Sequence, residues 1–271
     1  MSPTISPNTL VDVIIPAYGR FDLFKLCLDA LPAAMGDLTY HVIIFDNGSP
    51  KPEADVFYSQ INPKYVVIRN RDNMGFPHAC NQAVRWGKSP LLFLLNTDVI
   101  LEPNSVNLLV RDMDDPAIGV AGMLLTFPDD LAGLNPQIRP SGKVQHVGLA
   151  SNVTGQIIHP LIGWTVDNPK VQKVRDVLAV TGAAMMTRRI LWNKCNGFDE
   201  IYGVGTYEEC DFQMKVRQLG HSIIVDTKAR GVHYTGATAE QYRIAYPLNQ
   251  NRMTFLSRWM NSMPYTEYVA W

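Results

Sequence analysis

Apolar residues along this chain fall into short runs closed by polar residues, and the runs alternate with stretches of helical period. Leu10 to Ile15 is apolar except for Asp12, and Pro16 closes it, which predicts a first strand. Phe24, Cys27, Leu28 and Leu31 recur at helical spacing, with Asp22, Lys25 and Asp29 off the stripe, so a helix follows that Pro32 should stop. His41 to Phe45 is a second strand, ending in the turn signal Asp46-Asn47-Gly48-Ser49. Tyr65 to Ile68 is a third, followed by a polar stretch from Asn70 to Gly75. Pro77 suits the first position of a helix reaching about Trp86. Leu91 to Leu95 is then wholly apolar and is closed at once by Asn96, Thr97 and Asp98. Such a run fits a strand buried on both faces of a parallel sheet, and by period alone it fits a buried helix equally. Pro90 favours the strand, because proline is tolerated at a strand's first position.

The second half continues the alternation less regularly. Glu102 to Asp115 predicts an amphipathic helix, Ile118 to Phe127 a strand, and Pro128 to Pro140 a loop rich in Pro, Gly and Asp. Lys143 to His159 reads as irregular or hairpin-like, and Val171 to Ala184 as a strand leading into Thr181-Gly182-Ala183. Thr206 and Glu209 have the spacing of a capping box. The helix it opens carries Phe212, Val216 and Leu219 on one face and an Asp211–Lys215 pair, with Gly220 as its stop. His221 to Asp226 is a further strand with His233 beyond its end. Gln241 to Trp259 reads as a basic helical tail with Arg243, Arg252 and Arg258, and Pro264 to Trp271 as a loose end. Strands alternating with helices argue for βαβ units. The expected class is α/β: one Rossmann-like domain, a mostly parallel central sheet flanked by helices, and a C-terminal helical tail.

Composition narrows the function only by exclusion. The 271 residues are 46% hydrophobic and 18% charged, with a formal net charge of −1, so nothing draws the chain in bulk towards nucleic acid or anionic membrane. The opening MSPTISPNTL lacks the basic start and apolar core of a signal peptide, and no apolar run is long enough to span a bilayer; a cytoplasmic location is expected. Cys27, Cys80, Cys195 and Cys210 have no paired spacing and read as reduced, packed thiols.

Chemistry concentrates where strands end. Ligands of open parallel sheets bind outside the carboxyl ends of the strands, which puts Asp98 at the mouth of a cleft; the competing reading is an ordinary turn. No glycine-rich phosphate loop follows the first strand. A bound nucleotide would therefore need another holder for its phosphates, and a hard divalent cation on Asp98 takes carboxylate and phosphate oxygens together. Glu208, Glu209 and Asp211 crowd the first turn of a helix, where acids also serve the helix dipole. His233 beyond a strand end suits a metal ligand.

In their order the motifs resemble the family 2 glycosyltransferases, inverting enzymes with the glycosyltransferase-A fold. The resemblance rests on Val13-Ile14-Ile15-Pro16-Ala17-Tyr18-Gly19-Arg20, Phe45-Asp46-Asn47-Gly48-Ser49, Asn73-Met74-Gly75-Phe76 with Asn81, Leu95-Asn96-Thr97-Asp98, Thr181-Gly182-Ala183, Gly197-Phe198-Asp199-Glu200, Glu208-Glu209-Cys210-Asp211 and His233. It implies a nucleotide-sugar-binding half over 1–100, an acceptor-binding and catalytic half over 101–235, and a helical tail over 236–271. Asp46 would accept a hydrogen bond from the base, with Pro16, Tyr18 and Arg20 lining the same pocket and Asn73 and Gly75 against the nucleotide. Asp98 matches the last residue of the family's D-x-D element, and Asn96 departs from its first. His233 would complete a Mn²⁺ or Mg²⁺ site. Glu209 would be the general base, Asp211 would orient the acceptor or the helix start, and Arg252 would touch the diphosphate.

The donor implied is a nucleotide-diphosphate sugar, with uridine- or thymidine-linked donors favoured by Asp46. The acceptor is a hydroxyl on a glycan, or on a lipid-linked glycan, protein or modified nucleic acid. Gln145, His146, His159 and Trp164, within 128–164, would shape its site. Two other readings stay open at this point: a nucleotidyltransferase on a similar sheet, and a non-catalytic module binding sugar nucleotides or glycans.

Overall fold

The apolar runs assemble into one nine-stranded sheet covered by helices on both faces. A computed structural model describes residues 10–129, 141–152 and 156–263. The polar arm before Leu10, most of the 128–140 loop and the 264–271 end lie outside the described residues. In chain order the elements are β1 (Val11–Ala17), α1 (Phe21–Met35), β2 (Tyr40–Asp46), α2 (Glu53–Gln60), β3 (Val66–Arg69), α3 (Phe76–Val84) and β4 (Leu91–Leu95). They continue with β5 (Val99–Leu101), α4 (Ser105–Asp112), β6 (Ile118–Thr126), β7 (Val144–His146), β8 (Ala150–Ser151), β9 (Ile157–Ile158) and α5 (Pro169–Gln172). The last are β10 (Ala184–Arg188), α6 (Arg189–Lys194), α7 (Glu208–Gln218), β11 (Ser222–His233), α8 (Ala237–Tyr242) and α9 (Leu248–Trp259).

The strand order is β3-β2-β1-β4-β10-β6-β11-β5, with β7 added beside β6. Parallel pairing links β3, β2, β1 and β4, and again β6 and β11. Strand β10 runs antiparallel to both β4 and β6, so the two parallel blocks point the same way across it. One face of the sheet buries Phe24, Leu31 and Leu109 from α1 and α4. The other buries Cys80, Trp192 and Phe212 from α3, α6 and α7. All four cysteines are buried free thiols. Among the described residues, no helix is long and apolar enough to cross a membrane.

Several boundaries differ from expectation, each for a physical reason. Pro16 does not end β1; it pairs opposite Phe45 where the ladder to β4 has already stopped at Ile14, a sheet margin that tolerates a missing N–H. Pro32 lies inside α1, which runs on because Ala34 and Met35 are buried, and Gly36 at φ 58° ends it. The segment from Val171 is not a strand. Val171, Val174, Val177 and Val180 are buried at every third residue, the segment meets the main sheet only in an isolated antiparallel bridge from Asp176 to Ile224, and β10 begins only after Thr181-Gly182-Ala183. The capping box does not form: Thr206 and Tyr207 both have positive φ, and Thr206 Oγ1 accepts from Asn251 instead. Leu219 is exposed past the end of α7. His233 is the last residue of β11, not beyond it. The tail is broken in two, with Arg243 in the left-handed region between α8 and α9.

Candidate active site

The ends of the strands open onto one cleft of about 350 Å³. Pro16, Ala17 and Tyr18 reach it from β1, and Asn96, Thr97 and Asp98 from the turn after β4. Thr181-Gly182-Ala183 enters ahead of β10, Glu208 and Glu209 enter at the first turn of α7, and His233 enters from the end of β11. Residues between Thr235 and Tyr246 close another side. Asp98 and Glu209, far apart in the chain, therefore line the same space.

Asp98 and His233 are both buried, with His233 Nε2 3.4 Å from Asp98 Oδ1. The other ring nitrogen, Nδ1, is 3.2 Å from Gln145 Oε1 and 3.1 Å from Thr235 Oγ1. Asn96 Oδ1 is buried without a hydrogen-bond partner, which is costly for an acceptor unless something else meets it. A carboxylate, an imidazole and an orphaned amide oxygen on one cleft fit a divalent cation of the Mn²⁺ or Mg²⁺ type. Among the described residues no group of three or more His, Cys, Asp or Glu side chains forms a metal site, so a cation here would draw its remaining ligands from water or a bound oxyanion.

The two glutamates face different environments. Burial pushes the Glu208 carboxyl well up, and the neighbouring Glu209 charge adds to this. Burial also raises Glu209, but backbone N–H groups of Glu209, Cys210, Gly182 and Tyr207 favour its ionised form and hold the rise down. Each has an Oε2 atom that is buried and without a partner. Adjacent carboxyls separated in this way suit one neutral and one ionised partner. Sequence reasoning passed over Glu208 as a site residue; its place in the same first turn was the signal available.

Other expected residues stand apart from the cleft. Asp46 is fully buried, accepting from Ser49 N and from Arg69 Nε at 2.9 Å each, and it does not line the space. Asn73 does line it, hydrogen-bonded to Asn47 Nδ2 at 2.8 Å, and Asn47 is a cleft residue the sequence reading did not assign. Gly75 packs under Gly203, Arg20 is engaged with Asp22, and Arg252 is not a lining residue. Asp211 is turned away: it receives Trp259 Nε1 at 2.8 Å, Arg258 at 3.0 Å and Lys215 at 2.7 Å, fastening α9 to α7. Neither Gln145, His146, His159 nor Trp164 lines the cleft. His146 Nε2 accepts from the backbone of Thr181 and Gly148, both at 3.2 Å, and so supports the loop under Glu209.

Residues 12–193 match the family model described as Glycosyl transferase family 2. The chain belongs to that family. This family 2 domain is 25% identical over 237 residues to the O-antigen biosynthesis protein RfbC of Myxococcus xanthus, covering 84% of this chain and 17% of that protein. It is 31% identical over 140 residues to an N-acetylglucosaminyltransferase of Rhizobium sp. strain N33, covering 46% of this chain and 31% of the relative. It thus spans well under half the length of these curated relatives. Among solved structures it resembles the mannosyltransferase PcManGT from Pyrobaculum calidifontis in complex with GDP-Man and Mn²⁺, with a TM-score of 0.61 and 16% identity over 94% of this chain and 65% of that one. It also resembles GalNAc-T7 with UDP, GalNAc and Mn²⁺, with a TM-score of 0.68 and 15% identity over 95% of this chain and 49% of that one. These likenesses bear out the glycosyltransferase-A fold.

Proposed function

We propose that the family 2 domain moves a sugar from a nucleotide-diphosphate sugar to an acceptor hydroxyl with inversion, Glu209 acting as general base. The observation that carries this is the meeting of Asp98, His233 and Glu209 on one cleft. Held by Asp98, His233 and Asn96, a Mn²⁺ or Mg²⁺ ion would supply a Lewis acid for the diphosphate charge. The chain's own residues do the rest. Pro16, Tyr18, Asn47 and Asn73 form the wall for the nucleotide. Asp46 and Gly75 shape that wall from behind, as their burial suits. Arg20 and Arg252 have no direct role in this reading, and Asp211 serves the architecture of α7.

Glu209 takes the proton of the acceptor hydroxyl as its oxygen bonds to the anomeric carbon and the bond to the diphosphate breaks. The nucleoside diphosphate leaves with the electron pair. A single displacement inverts the centre and needs no enzyme nucleophile. The division of labour follows, with 1–100 holding the donor, 101–235 the acceptor and chemistry, and 236–271 a tail. A glycan is the acceptor in this reading, in keeping with the named O-antigen relative, and UDP- or dTDP-linked sugars are the donors, in keeping with the UDP held by the GalNAc-T7 structure.

Glu209→Gln keeps the shape and removes the base. Turnover should fall about 10²–10⁴-fold with the circular dichroism spectrum unchanged. In the wild type, turnover should decline on the acid side at a pH above the ordinary glutamate range, because burial raises the Glu209 carboxyl. Near-normal turnover of the variant would remove Glu209 as the base, and a product retaining the donor's anomeric configuration would remove the single displacement.

A further inference from the structure

His233 is held from behind by a residue outside the cleft. Gln145 sits on β7, a strand laid against β6, and is 6% exposed. Its Oε1 meets His233 Nδ1 at 3.2 Å, while His233 Nε2 is turned to Asp98 at 3.4 Å. An amide oxygen accepts and cannot donate, so this contact requires the imidazole proton on Nδ1 and leaves the lone pair on Nε2. Thr235 Oγ1, also near Nδ1 at 3.1 Å, is a hydroxyl and accepts or donates either way, so it imposes no tautomer. A ring nitrogen that binds a cation must offer a lone pair, and the partner of the opposite nitrogen fixes which one does.

We infer that Gln145 is a positioning residue that holds His233 with Nδ1 protonated and Nε2 bare beside Asp98, preparing that pair for a divalent cation. The inference rests on the metal reading given above and extends it to a side chain that touches neither cation nor substrate. The neighbouring residue on the same strand, His146, supports Thr181, another residue lining the cleft. Strand β7 thereby braces two of the residues that line the cleft.

Two measurements on the full chain separate this role from simple packing. In the metal-free protein, long-range ¹⁵N–¹H correlation reads the tautomer of His233. The wild type should carry the proton on Nδ1, and Gln145→Ala should show a mixed or reversed population. Titration with Mn²⁺, followed by electron paramagnetic resonance, should give a dissociation constant raised about 10–100-fold in Gln145→Ala. Gln145→Glu keeps an acceptor on Nδ1 and should bind Mn²⁺ within about threefold of the wild type, since carboxylates commonly orient metal-binding imidazoles. A wild-type proton on Nε2 would overturn the role, as would unchanged Mn²⁺ affinity in Gln145→Ala beside a binding wild type. A wild type that binds no Mn²⁺ would overturn the metal reading itself, and this role with it.

Discussion

At the scale of single residues, burial decides what each acid in the cleft can do. Glu208 and Glu209 share a helix turn and both have backbone N–H groups supporting the charged form, yet Glu208 also has the neighbouring Glu209 charge against it. Burial pushes the Glu208 carboxyl well up, and this has a consequence for stability. Its folded value lies above the unfolded one, so the folded state gains from protonation at low pH and loses that gain as pH rises through the folded value. Glu208→Gln removes the titration. Its melting temperature should match the wild type below the ordinary glutamate range and exceed it progressively towards neutral pH. A constant offset at all pH values would contradict the assignment. Asp98 and Glu209 carried a local signal, a polar residue closing an apolar run or opening a helix, whereas the base role of Glu209 and the metal site shared by Asp98 and His233 came from the family resemblance. Gln145 was read as an acceptor residue; nothing local reveals that it faces His233.

At the scale of elements, buried polar contacts and close backbone approaches fix how strands and helices meet. Asp12, the polar interruption in the first apolar run, is fully buried and accepts from Ser89 N and Oγ and from Arg189 Nη2 at 2.5 Å. It joins β1 to the turn before β4 and to the start of α6. Asp12→Ala would strand the largely buried Arg189 guanidinium and should destabilise the protein by about 3–5 kcal/mol in urea unfolding, against under 1 kcal/mol if the cluster were a surface pair. Gly75 precedes α3 at φ 93°, and a Cβ there would lie 2.0 Å from Gly203 O. Gly75→Ala should cost about 1–3 kcal/mol for backbone strain alone, with the displaced Gly203 adding to it, and a midpoint equal to the wild type would show that the segment yields freely. Helical spacing made α1 legible, Pro77 marked the start of α3, and apolar runs marked β4 and β6. Helix α2 escaped because it buries only Ala54 and so carries no stripe, and β5 because three residues are too few to show a period.

At the scale of the whole molecule, the cleft exists because two parallel blocks end on the same side of the sheet, joined through the antiparallel β10. A ligand filling it should stabilise the entire fold. UDP with Mn²⁺ at about 100 times its dissociation constant adds about 2.7 kcal/mol. In a chain of this size that corresponds to a rise of about 5–10 °C in melting temperature. Asp98→Ala should abolish the Mn²⁺-dependent part of that rise, and an equal rise without the metal would count against the cation site. The sequence alone determined the α/β class, the parallel first half and the positions where polar residues emerge from apolar strands, because facing and burial are written in local period. The path of the chain decided the rest. It inserted β10 between β4 and β6, turned Asp46 towards Arg69 and Asp211 towards α9, and set Gln145 behind His233. Those neighbours come from distant segments, and only packing of the whole sheet brings them within hydrogen-bonding reach.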